Sequence, residues 1–454
     1  MMLLEKAKPV RESVLLTPRG PIISPALDGG LPAVSYRAVG LDAHPLEWTL
    51  RADTFDSFQT FREKTVRAPF PPSNMVYGDV TGTIGWQFAG LVPRRERGGG
   101  LLPRPGADAG TGWEDGYIDA DEMPSTVDPD AGFVATANNK PAADGDAPWL
   151  GGDWMDGYRV QAVADALGAR DDWDVDDCLA LQLERGSLPW REMRDAVLGA
   201  AREDARARRG AELLEAWDGE VSADSSAAAV FQLFLAELSL ACARAKAPNS
   251  AEWALGRGLG PIVPYTYVSL RWVGHLSRLV RERPDGWFEQ GWDGAIAAAL
   301  AAAVDRLERE HGSDWAWGKV RPLRLRHMLG SRRPFQRVFD LGPIPWAGDT
   351  NTVAQTSNSP LDPTGDPLFL GTLRAVMDVG EWERSRFVLA GGQSGNPCSR
   401  HYDDQWERWR RGEAVPLPFS EPAVREAART TLHLVPGLGS AAASGPRSPG
   451  TIAA

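Results

Sequence analysis

From residue 12 to about residue 140, short apolar runs such as 14–16 and 133–137 are interrupted by Gly and Pro every 8–12 residues. That spacing predicts short strands joined by long loops. From Tyr158 to about His311 the period becomes helical. Val160, Val163, Ala164 and Leu167 fall at i, i+3, i+4 and i+7, and the pattern recurs over 227–242 and 296–307. Asp224 or Ser225 is expected to cap the second of these helices and Asp293 the third. From Trp315 to about Val435 the strand-and-turn pattern returns, punctuated by Gly330, Gly342, Gly348 and Gly391-Gly392.

Strand-rich text, a helical insert and strand-rich text again predict an α+β architecture: one sheet system interrupted by a helical lobe, rather than separate domains in series. The expected divisions are a strand-rich part over 1–157, the helical lobe over 158–314 and a return to the strand-rich core over 315–435. Residues 436–454 offer little that could drive burial and read as a disordered tail. The order argues against a doubly wound fold. No GxGxxG or P-loop is present, and Gly98-Gly-Gly100 lacks the Lys and Ser/Thr of a phosphate cradle.

Composition narrows the function classes. The chain has 454 residues, 43% hydrophobic and 24% charged, with a net charge of -12, which works against nucleic acid or an anionic membrane as partner. Cys178, Cys242 and Cys398 are too few and too scattered for a disulfide framework or a zinc site. The apolar run within residues 1–10 is far shorter than the core of a signal peptide. The Ala-rich stretch 295–304 is bracketed by Asp293 and Asp305 and reads as a buried helix. The expectation is a soluble chain with no export signal, its compartment undecided.

Candidate chemistry is sparse. His44, His275, His311, His327, His401 and His433 are isolated from one another in sequence. Gly392-Gln-Ser-Gly-Asn396 has its second glycine one residue early for a nucleophile elbow, and Pro397 follows where a helix should begin. The pairs Asp171-Asp172, Asp176-Asp177 and Asp403-Asp404 fit helix starts and solvated loops as well as a cation. Trp113, Trp149, Trp154, Trp315, Trp317 and Trp346 fit either loop packing or an apolar cavity wall. The sharpest segment is Phe133-Val-Ala-Thr-Ala-Asn-Asn-Lys-Pro141. An Asn at a strand end can aim its N–H at a tetrahedral oxyanion, but two Asn before Pro are also ordinary turn chemistry.

Many segments, in one order, resemble the penicillin acylase family. They include Thr17-Pro-Arg-Gly-Pro21, Asn74-Met-Val-Tyr-Gly-Asp-Val-Thr-Gly-Thr-Ile-Gly-Trp86, Gly90-Leu-Val-Pro-Arg94 and Leu102-Pro-Arg-Pro-Gly106. Gly132-Phe-Val-Ala-Thr-Ala-Asn-Asn-Lys-Pro141 and Asp153-Trp-Met-Asp-Gly-Tyr-Arg159 follow, then Trp317-Gly-Lys319, Gly348-Asp-Thr-Asn-Thr-Val353, Gly392-Gln-Ser-Gly395 and Ser399-Arg-His-Tyr402. The resemblance spans about residues 11–435. It implies an N-terminal-nucleophile hydrolase fold, an αββα sandwich here incomplete, and hydrolysis of a linear amide by the hydroxyl of an N-terminal serine with its own α-amine as base. It places the oxyanion-hole Asn at Asn138 and the Arg that orients the nucleophile's amine and this Asn at Arg159.

The departures shape the remaining expectations. The Ser-Asn-aromatic start of the family's β subunit has no counterpart before Arg11, and Ser357-Asn358 lies mid-chain. The nucleophile is therefore expected to be absent from this chain, along with the α subunit and the first β segment as partners. Arg19 replaces the His usual before Gly-Pro in the family. No cofactor is expected; the resemblance allows calcium, but most of its ligands would lie in the absent parts, and Gly100 stands where some members use a proline carbonyl. The substrate implied is an acyl amide, whether a β-lactam side chain, an acyl-homoserine lactone or a lipopeptide. A truncated remnant, a binding protein and one half of a split enzyme are the alternatives.

Overall fold

A computed structural model describes residues 13–434 apart from 25–31, 43, 45–51, 69–70, 97, 109–111, 114, 203, 259–262 and 332. The readings made above for residues 1–10 and 436–454 lie outside the described residues. The first part carries strands β1 (Leu16–Thr17), β2 (Gly20–Pro21), β3 (Ser73–Gly78), β4 (Ile84–Ala89) and β5 (Ser125–Val127), with helix α1 (Phe58–Thr65). Then come α2 (Tyr158–Gly168), α3 (Val175–Leu181), α4 (Leu188–Ala201), α5 (Arg208–Glu215), α6 (Ser226–Lys246), α7 (Ala251–Ala254), α8 (Val273–Glu282) and α9 (Gly291–His311). The last part mixes α10 (Trp317–Val320), β6 (Leu323–Leu325), α11 (Gln336–Phe339), β7 (Leu341–Ile344), β8 (Leu373–Val376) and β9 (Arg386–Leu389) with α12 (Trp406–Arg411), β10 (Val415–Pro416) and α13 (Glu421–Ala427).

Helix α6 is buried on every side from 227 to 236, where Gln232 is its one polar residue, as a helix segment enclosed by others must be. Phe231, Leu233, Phe234 and Leu238 are all buried, packed with Trp190 and Met193 of α4 and Leu300 of α9. By length and composition it is the one helix among the described residues able to cross a bilayer; most of it is buried inside the lobe. Its start is fixed by Ser225, whose Oγ accepts the Ala228 amide at 3.0 Å. Pro248, two residues past its end, cannot continue it. Ser225→Ala is expected to cost about 1 kcal/mol in urea unfolding; an unchanged midpoint would show that the cap contributes nothing. Of the two candidate caps, Ser225 is the one used. Asp293 is not a cap: α9 begins at Gly291, so Asp293 sits in the first turn, where its charge faces the exposed amides of the helix start.

Among the described residues the strands are divided among four small sheets: β1-β2, β3-β4-β5, β6-β7 and β8-β9-β10, every pair antiparallel. This differs from the expected continuous sheet system, and residues 133–137 show why. They were read as a strand but form none, since no ladder hydrogen bond reaches them among the described residues. In β3-β4 the two strands join through a tight turn in which Asp79 Oδ1 accepts the Thr81 amide at 2.8 Å and the Thr83 amide at 3.3 Å. Phe88 of β4 is fully buried against Val66, Val92, Ile118 and Met123.

The lobe and the last strand-rich part share one core. Trp315, Trp317 and Val320 belong to the same buried cluster as α4, α6 and α9. Four backbone bonds cross the seam: Trp317 N to Ser225 O (3.0 Å), Gly318 N to Ala223 O (2.7 Å), Gly348 N to Val221 O (2.8 Å) and Ala354 N to Glu184 O (2.9 Å). Asp349, almost fully buried, accepts from Gln232 Nε2 of α6 at 2.6 Å and from the amides of Asn351 and Thr352 at 2.7 and 2.9 Å. Burial pushes its carboxyl above the usual range. The fully buried Arg321 is pushed down to about 10 by burial and donates from Nη2 to Gly348 O at 3.0 Å.

Candidate active site

Asn138 sits in the left-handed region at φ 65°, which an Asn tolerates better than most residues. Its carbonyl accepts the Met155 amide at 2.9 Å, so the far arm of the intervening loop returns beside it. The neighbouring Asn139 spends its side chain on the turn. Its Oδ1 accepts the Ala137 amide at 3.0 Å and its Nδ2 donates to Lys140 O at 3.1 Å. Asn139 therefore closes the turn, and the exposed Asn138 amide is left free of it.

Arg159, the second residue of α2, donates from Nη2 to Asn138 Oδ1 at 2.9 Å and to Ala137 O at 2.6 Å. Because a guanidinium can only donate, this contact settles which way the Asn138 amide faces. Oδ1 is held by Arg159, so Nδ2 turns the other way, and it has no partner among the described residues. Burial lowers the Arg159 pKa, yet the guanidinium remains charged at neutral pH.

The start of α2 is held by part-buried polar contacts rather than by a side-chain cap. The hydroxyls of Tyr158 and Ser277 both donate to Glu192 Oε2, at 2.7 and 2.5 Å. Asp156 Oδ2 accepts the Gly274 amide at 2.9 Å. Burial, then the bond to Glu192, pushes the Tyr158 phenol up, and burial pushes the Asp156 carboxyl up. Sequence reasoning missed Glu192 and Ser277 because each is an unremarkable polar position on a helix.

Asn138 and Arg159 line a cleft of about 690 Å³ with Ser73, Asn74 and Trp154. On its far side Tyr267 stacks on Phe369, ring centres 5.7 Å apart and planes 22° from parallel. Both had gone unnoticed, since neither belongs to a periodic pattern. Of the six Trp residues singled out, Trp154 reaches this cleft, while Trp315 and Trp317 are core and Trp346 stacks on Trp409. Asp176-Asp177 lies in the first turn of α3, capped by Asp174.

An amide N–H left free at a cleft, its oxygen held by a neighbouring guanidinium, can stabilise an oxygen that gains negative charge. Ser73 is the serine of the cleft lining among the described residues; its hydroxyl donates to Pro71 O at 2.8 Å and makes no hydrogen bond to an ionisable side chain among the described residues. For calcium, no three His, Cys, Asp or Glu side chains converge among the described residues. The Arg95 guanidinium lies against Gly100, so that turn does not suit a divalent cation.

A solved thermostable penicillin G acylase from Alcaligenes faecalis superposes with a TM-score of 0.63 at 18% identity, over 95% of this chain and 80% of that one. The fold is therefore that of the N-terminal-nucleophile hydrolases. The penicillin amidase family model matches residues 3–426, and the chain belongs to that family. Among its relatives, the acyl-homoserine lactone acylase QuiP of Pseudomonas aeruginosa is 29% identical over 473 residues, 91% of this chain and 53% of that protein. The penicillin acylase 2 proenzyme of a Pseudomonas species (strain SE83) is 30% identical over 386 residues, 80% of this chain and 46% of that protein. The chain spans about half the length of these two relatives.

Proposed function

We propose that this chain supplies the oxyanion side of an acylase that cleaves a linear amide into a carboxylic acid and an amine. The free Asn138 Nδ2, fixed at the cleft by the Arg159 contact to Oδ1, carries this reading. The nucleophile is an N-terminal serine supplied by a segment outside this sequence, as the Ser73 hydroxyl is spent on the Pro71 carbonyl. Its hydroxyl attacks the substrate carbonyl carbon while the α-amine takes the proton. The carbonyl oxygen becomes an oxyanion that accepts from Asn138 Nδ2. Collapse expels the amine, which takes the proton back, and water then hydrolyses the acyl-serine to release the acid. The relatives' names point to the acyl side chain of a β-lactam or to an acyl-homoserine lactone as substrate; a lipopeptide acyl chain is a third member of the same chemical class.

The test is a chromogenic acyl-anilide assay run on the 454-residue chain alone and on the chain joined to a serine-bearing upstream segment. Hydrolysis is expected only in the second case. Saturable turnover by the chain alone would overturn the assignment of the nucleophile, and an inert joined protein would overturn the acylase reading.

A further inference from the structure

On the helical lobe, apart from the cleft, a second cavity of about 470 Å³ opens between the C-terminal half of α6, the short α7 and α9. Its floor is apolar: Leu240 and Leu361 pack onto the buried Ala243, Ala251 and Leu255. Its wall brings together three guanidiniums from three places in the chain. Arg306 is paired with Glu237 at 3.7 Å and with Glu310 at 3.2 Å. Arg257 is paired with Glu252 at 2.8 Å and lies over the indole of Trp253, 5.4 Å from its centre. Arg244, in the last turn of α6, is exposed and has no ionic partner among the described residues. Trp253 is 52% exposed, a large apolar face kept in water beside these cations.

We propose that this cavity binds a small organic monocarboxylate with a flat apolar body. Of the charged groups lining it, Glu237 and Glu252 offset Arg306 and Arg257, which leaves one uncompensated cation, Arg244. One carboxylate matches that charge, whereas a phosphate dianion would bring a second charge with nothing to meet it. The guanidinium fork suits the two carboxylate oxygens. The indole and the leucine floor take an apolar ring, and burying the exposed Trp253 face favours binding. The volume lies within the range of small-molecule pockets. In a chain of net charge -12, such an anion is drawn to the site by this local cation alone, so binding weakens with salt. The inference stands independently of the acylase reading.

The experiment is a calorimetric titration of the 454-residue chain with benzoate, beside benzamide and inorganic phosphate. Saturable one-site binding of benzoate is expected, with benzamide and phosphate each weaker by roughly tenfold, because each lacks one of the two recognised features. Arg244→Ala and Trp253→Ala are each expected to weaken benzoate by roughly five- to tenfold, whereas Asn138→Ala leaves it unchanged. Both variants change exposed side chains, and an unaltered melting curve checks that they fold. The proposal is overturned if benzoate does not bind, if benzamide binds equally well, or if binding ignores Arg244→Ala but is lost in Asn138→Ala, which would place the ligand in the cleft.

Discussion

In the proposed acylase, joined to a serine-bearing segment, Asn138→Gly is expected to lower kcat by about two to three orders of magnitude, the effect of removing one oxyanion donor. Glycine is the informative replacement because Asn138 sits at φ 65°. Glycine adopts that conformation without strain, whereas alanine would add roughly 1–2 kcal/mol of backbone cost to the loss of the amide. The two variants should therefore share the fall in rate but differ in stability, with only Asn138→Ala melting lower. KM should move little, since the donor meets its full charge only in the transition state. Asn138→Asp should be at least as damaging: a carboxylate pairs with Arg159 as well as the amide does, yet has no N–H to offer. An Asn138→Gly enzyme with kcat within about threefold of the parent would remove Asn138 from the oxyanion role.

The largest effect on stability is expected at Trp317. Its side chain is fully buried, its Nε1 donates to Gly348 O at 3.0 Å, and Arg321 lies over its ring at 4.7 Å. Trp317→Ala should cost about 3–5 kcal/mol through the cavity left behind, and the orphaned Gly348 carbonyl still has Arg321 Nη2 to accept from. Trp317→Phe separates the terms. It keeps most of the volume and loses the indole N–H, so a loss of about 1–2 kcal/mol is expected. Urea unfolding followed by far-UV circular dichroism reads both. Equal costs for the two variants would mean that volume is not what Trp317 contributes.

What the sequence displayed depended on how regularly each element repeats. The α2, α6 and α9 helices were legible because eleven to twenty-one residues of regular period average out local noise, and Ser225 added a start signal. The strands were not, because none exceeds six residues and several have two. Residues 133–137 carried a good strand composition, but composition says nothing about whether a partner strand lies alongside. At the site, physics alone read Asn138 as turn and Arg159 as a surface cation; the family resemblance paired them, and the structure brings them within hydrogen-bonding distance. The turn reading found its place one residue on, at Asn139. Tyr267 and Phe369 left no trace, since a contact between residues 102 positions apart is a property of the fold and not of either segment.

The four backbone bonds and shared tryptophan core that join the lobe to the last strand-rich part constrain how the cleft can open. Tyr267 and Leu270 on one wall of the cleft belong to the lobe; Val353, Gln355 and Phe369 on the other belong to the return segment. A swinging lobe would open the cleft only by shearing interior packing, and hinge motions avoid that by placing their pivots in loops with few buried contacts. Between these two walls, motion is left to rotamer changes of rim side chains such as Tyr267, which is 66% exposed, on the picosecond-to-nanosecond scale. Such a gate is fast compared with turnover of typical enzymes. In the proposed acylase with its serine-bearing segment, solvent viscosity should then leave kcat untouched.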